Sequence, residues 1–217
     1  MSDYKEKYFN NLRKLIGLIG ILMPCALLAY TLLDPECNIV LKSISAYYHS
    51  KAGHIFSACS LVIGVVIWNT IKYPEDKWLY RLAAVLAIII GFVPNCQDGS
   101  IGGCIIRQNK IDWINWIHLG SAIIFFVLLS YLVYFRFTKS EDAEISYAKQ
   151  NRNRVFRICG IVMMVTMVLI AISATIMKGK WDSLRPIFVG ETIMLFAFSY
   201  AWLIKGQFWM KEKNGYS

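Results

Sequence analysis

The chain has 217 residues, of which 57% are hydrophobic, and carries a net charge of +9 from 23 Lys and Arg against 14 Asp and Glu. With a mean hydropathy of +0.47 and charges confined to short stretches, it is too apolar for an ordinary soluble domain. Nucleic-acid binding is excluded as a leading reading, because the basic residues sit beside apolar runs and have no folded domain to present them.

Six apolar runs approach the ~17–25 residues needed to cross a bilayer: about 15–33, 54–71, 78–94, 113–135, 156–177 and 187–204. The expectation is an all-α polytopic membrane protein, one six-helix transmembrane domain over 1–217. The first run follows Lys5, Lys7, Arg13 and Lys14. It is long and lacks a small-x-small cleavage pattern, so it reads as a retained span. Lys and Arg set the orientation: 16 fall at the N-terminus, in 72–81, in 136–157 and in the C-terminal tail, and 7 in the alternate segments. The positive-inside rule then puts both termini in the cytoplasm, in a bacterial inner or plasma membrane. Membrane lipids are the expected partners, with anionic headgroups available to the basic 136–157 loop.

The external segment 34–53 follows the first span and contains "SISAYYHS", Ser43 to Ser50. If this stretch is helical, Ser45 and His49 share a face. The third span ends in "GFVPNCQDGSIGGC", where Pro94 and the glycines stop a helix. The cysteines there open two pairings. Cys96 with Cys104 would close a short glycine-rich loop, and Cys37 is the other external candidate. Cys25, Cys59 and Cys159 fall in or beside spans and read as small buried hydrophobes. The fourth span begins "DWINWIHLG": Trp113 and Trp116 suit an interfacial belt, and His118 lies about 9 Å deeper than Asp112. The last span begins "RPIFVGET", with Pro186 suited to a first helical turn and Glu191 one turn further in.

All three histidines (His49, His54, His118) thus fall on the external half, with Ser43, Ser45, Asp98 and Glu191. Ionisable groups at that depth are costly to desolvate, so they face a bundle interior or a wet cavity and partner one another. Imidazole and carboxylate together also suit zinc, which in catalytic sites takes three protein ligands and one water. Each residue has a plainer role open to it: His54 as a cap at the headgroup level, Asp98 in an Asx-turn, Glu191 paired with Arg185 or Lys180, and His118 bonded to Ser45, a tyrosine or a carbonyl.

The Ser45–His49 spacing resembles the S-x-x-x-H signature of the CREST superfamily of membrane hydrolases and receptors. That resemblance implies a zinc held by histidines for amide hydrolysis in lipid, with Asp98 in the place of the family's aspartate. The family's later H-x-x-x-H is missing from the last span, and six spans stand where seven are expected. The layout also looks like small six-span bacterial membrane families of unknown function. Two readings follow. One is a membrane protein whose external polar site binds or senses a small-molecule or lipid ligand. The other is a zinc-dependent hydrolase of a lipid amide or ester, with His49, Asp98 and His118 on the metal, Ser45 orienting water or stabilising the oxyanion, and Glu191 carrying protons.

Overall fold

A computed structural model describes residues 2–71, 73–96, 104–106, 110–139, 146–176 and 184–209, without the side chains of residues 2 and 3. Among them the secondary structure is helical, apart from one isolated bridge between Ser50 and Ile105. The six α-helices are α1 (Ser2–Leu33), α2 (Gly53–Asn69), α3 (Lys77–Phe92), α4 (Asp112–Tyr131), α5 (Tyr147–Thr175) and α6 (Pro186–Lys205). A helix satisfies its own backbone polar groups, the condition for placing apolar chain in hydrocarbon.

Four of these helices, α1, α4, α5 and α6, are long and apolar enough to cross a membrane. The other two are shorter: α2 has 17 residues and α3 has 16. The first and fifth helices extend well before the apolar runs, so the end of the basic 136–157 loop is continuous with α5. Pro24 sits inside α1, where it withholds one N–H from the helix ladder.

Each helix packs against the next, and α6 closes the ring against α1. That closure is tight because α1 offers glycine. A Cβ on Gly20 would stand 2.2 Å from Ser199 Oγ, and one on Gly17 2.6 Å from Leu203 Cγ. Small residues permit this approach where apolar burial gives helices in lipid no preference for each other. The first turns of α1 meet the end of α6 at one end of the ring, since a Cβ on Gly206 would meet Asn10 O at 2.9 Å. Trp202, 1% exposed, fills the interior there, edge-on to Phe137 at 5.1 Å and to Tyr80 at 6.5 Å. At the same end the buried Asp76 pairs with Arg136, and Glu75 with Lys139, tying the α2–α3 turn to the π-helical turn Leu132–Arg136 that follows α4. The opposite end carries the serine-rich segment.

Candidate functional site

The site is built on the segment between α1 and α2. Asp34 closes α1's end: its carboxylate accepts the Glu36 N–H at 3.0 Å and pairs with Lys51 at 3.2 Å. The Glu36 N–H and then Lys51 hold that carboxyl below its ordinary range. Further on, Ser45–His49 forms a 3-10 turn. The serines around it supply the hydrogen bonds that helix or sheet would otherwise provide. Ser43 Oγ accepts the Ala46 N–H at 3.0 Å and lies 3.1 Å from Ser45 Oγ; Ser50 donates to Tyr47 O at 2.8 Å and accepts the Ala52 N–H at 3.1 Å. The serine richness therefore serves, first, to fold a tight turn.

A second stretch at this end of the bundle is fastened to this turn. Cys37 and Cys104 form a disulfide, with Cα atoms 4.3 Å apart. The adjacent Ile106 N–H donates to His49 O at 2.9 Å, beside the Ser50–Ile105 bridge. This replaces the Cys96–Cys104 pairing that the short intervening loop suggested. The α1–α2 segment folds back far enough to reach Cys104 first, and the Cys96 backbone N–H instead donates to Asn115 Oδ1 at 2.8 Å.

Both buried histidines converge on the stretch that follows α3. His49, 1% exposed, directs Nε2 at Asn95, 2.9 Å from its backbone O and 2.9 Å from Oδ1. Facing two acceptors, Nε2 carries the proton, which leaves Nδ1 as a bare lone pair. That Nδ1 is buried without a partner. Asn95 Nδ2 in turn donates to Ser45 Oγ at 3.3 Å. Ser45 and His49 are thus joined through Asn95, not by sharing a helical face. A 3-10 turn repeats every three residues, so positions four apart are not stacked. His118 on α4, 4% exposed, donates from Nδ1 to the Val93 carbonyl at 2.6 Å. Val93 is the end of α3, where a carbonyl lacks an intrahelical partner. The same bond fixes the tautomer, so Nε2 of His118 is an acceptor.

On the facing helix, Glu191 Oε2 accepts the Ile44 N–H at 2.5 Å. Nearby, the Phe188 N–H at the start of α6 donates to Lys42 O at 3.1 Å. The turn and the beginning of α6 are therefore stitched together in both directions.

His118, Glu191 and Ser45 line one cavity of about 70 Å³ between α1, α2, α3, α4 and α6. The rest of its wall is apolar, with Met23 from α1, Phe56 and Ile63 from α2, Ala87 from α3 and Phe125 from α4 among the residues that close it; Ser60 adds a hydroxyl. Of the residues singled out in the sequence, Ser45, His118 and Glu191 meet at this space. His49 stands one hydrogen-bonded step away, through Asn95. His54 is exposed, with its ring edge-on to Tyr30 at 6.1 Å, as a cap would be. Asp98 and Lys180 lie outside the described residues. Among the described residues no three His, Cys, Asp or Glu side chains stand close enough to share a metal, so these residues alone make no zinc site. Sequence reasoning missed Asn95, and it left a carbonyl among the partners of His118 without identifying it as that of Val93. Their signal was the helix stop at "VPN", which leaves polar backbone groups at that end of the bundle.

No family model, curated protein or solved structure matches the chain.

Proposed function

We propose that this is an integral membrane protein in which all six helices cross the bilayer, both termini are cytoplasmic, and the central cavity is a small-ligand site on the external side. The distribution of Lys and Arg, 16 against 7, supports the orientation. The short helices α2 and α3 would extend about 24–26 Å at 1.5 Å per residue, near the ~30 Å hydrocarbon core. The Cys37–Cys104 disulfide fits an oxidising exterior, as outside a bacterial inner or plasma membrane.

The observation that carries the ligand reading is the meeting of Glu191, His118 and Ser45 on one otherwise apolar cavity. Glu191 offers carboxylate oxygens and His118 offers the unprotonated Nε2, so the two ionisable groups of the wall accept hydrogen bonds. A cavity of about 70 Å³ is roughly half the ~150 Å³ that admits benzene. Its occupant is therefore a compact donor with an apolar body, with short primary amines in protonated form the best match to a carboxylate.

Thermal unfolding of detergent-purified protein with methylamine, ethylamine, ethanol or acetate tests this. A ligand at 100 times its Kd should add about 2.7 kcal/mol. The amines should stabilise the wild type, acetate should not, and the gain should vanish in Glu191→Gln. A panel that leaves the wild type unmoved refutes the ligand site.

Hydrolysis with zinc held by His49, His118 and Asp98 is the second reading, and the bare buried Nδ1 of His49 is what favours it. Zinc would supply an activated water. About one zinc per chain in protein purified without chelator, lost in both His49→Ala and His118→Ala, selects this reading. A metal-free wild type removes it.

A further inference from the structure

A second concavity lies away from the cavity, on the outside of the bundle. Between α4 and α5 runs an open groove of about 480 Å³, within the size range of small-molecule sites. Its walls are Tyr131, Tyr134 and Phe135 from the end of α4 and its π-helical turn, and Ile161, Met164 and Val165 from α5. Gly160 forms the floor: a Cβ there would stand 2.8 Å from Tyr134 Cβ, so the helices nearly touch beneath the groove. The walls are apolar yet exposed, Phe135 by 56% and both Ile161 and Val165 by 52%. The π-helical turn Leu132–Arg136 shifts the register of side chains at the groove's end, a distortion often found at functional sites.

The independent observation is charge. Arg154 and Arg157 are exposed on α5. Ile161 and Met164 follow Arg157 by four and seven residues, so the arginines continue the groove's own helix face toward the basic end. Along the axis they sit about 6 and 10 Å beyond Ile161. Among the described residues neither arginine has an acidic partner, whereas Arg136 is paired with Asp76, Lys139 with Glu75, and Lys205 donates to Phe137 O. Among the described residues, one face of α5 thus presents two guanidinium groups without an acidic partner, leading directly into an apolar channel.

We propose that the α4–α5 groove, with Arg154 and Arg157 at its mouth, binds one anionic phospholipid. The phosphate of the headgroup takes the guanidinium forks, which match it bidentately, and an acyl chain lies against Ile161, Met164 and Val165. A second copy of this chain pressing a helix into the groove would have no use for the arginines. A free phosphate would have no use for the groove.

The test is native mass spectrometry of the full-length protein in detergent with phosphatidylglycerol or phosphatidylcholine of matched acyl chains, the wild type beside Arg154→Gln/Arg157→Gln and Val165→Trp. One phosphatidylglycerol should be retained with at least fivefold preference over phosphatidylcholine. The double Gln variant should lose the preference, Val165→Trp should lose both lipids, and millimolar inorganic phosphate should not displace the lipid. Equal retention of the two lipids in the wild type, or an undiminished preference in the double Gln variant, overturns the proposal. So does a protein dimer that Val165→Trp dissociates, which assigns the groove to a second copy. The arginines are exposed, so replacing them leaves packing intact, and the wild-type comparison decides the matter even where Val165→Trp fails to fold.

Discussion

The Glu191 carboxylate accepts the backbone N–H of Ile44 at 2.5 Å across 147 residues of sequence. It joins α6 to the turn that carries Ser45 and His49, and it faces the central cavity as well. The two roles separate by substitution. Glu191→Gln keeps a carbonyl oxygen for Ile44 and should cost less than about 1 kcal/mol. Glu191→Ala leaves the Ile44 N–H unpaired and should cost about 1–3 kcal/mol. Denaturant or thermal unfolding of both variants reads the difference. Equal stabilities would mean that the bond carries no weight in holding the turn.

His118 gives a sharper chemical contrast, because the atom it uses is Nδ1 and the acceptor is the Val93 carbonyl at 2.6 Å. An Asn amide places its nitrogen near the position of Nδ1, whereas a Gln amide reaches nearer to Nε2. His118→Asn should therefore unfold within about 1 kcal/mol of the wild type. His118→Ala, which leaves the buried end of α3 without a donor, should lose about 1–3 kcal/mol. A Gln variant as stable as Asn would show that the Val93 bond does not set the rank.

The helical class was legible in the sequence because apolar runs of bilayer length admit few other structures. The site was legible in part for the same reason. Histidine and glutamate inside an apolar run need a shared interior, and His118 and Glu191 do share one. What pattern could not supply was the partner of each. His118 bonds to a backbone carbonyl, Glu191 to a backbone N–H, and His49 to Asn95. Backbone groups carry no residue-type signature, and Asn95 in "VPNC" reads as an ordinary helix stop. The disulfide was left between two pairings for a related reason. Sequence proximity favoured Cys96 for Cys104, but the 34–52 segment folds back over the bundle and brings Cys37 there, 67 residues away.

That disulfide should carry much of the order of its end of the bundle. Chain-entropy arguments give roughly 4 kcal/mol for a loop of about 70 residues. This is an upper value for a chain whose unfolded state stays helical in lipid. Cys37→Ala and Cys104→Ala should each lower stability by about 2–4 kcal/mol, and the double variant should lose no more than either alone. Non-reducing peptide mapping should recover Cys37 and Cys104 in one linked fragment. A linked fragment of Cys96 with Cys104 would contradict the structure at this end.

Acid should loosen both ends of the bundle. The Glu36 N–H and Lys51 depress the Asp34 carboxyl, and Lys139 does the same for Glu75 at the other end. For a carboxylate depressed in the folded state, the stabilisation is complete above its unfolded pKa, about 3.9 for Asp and 4.3 for Glu. It is lost as the pH falls through the lower folded value. Stability from these two groups should thus hold from pH 7 down to about pH 4 and decline below that. Both ion pairs lie at the ends of the bundle within reach of water, so the decline should be small and shrink with added salt. Unfolding midpoints between pH 6 and 3 should show a shallower acid slope in Asp34→Asn than in the wild type. A slope unchanged in Asp34→Asn and in Glu75→Gln would place the acid sensitivity in other carboxyls.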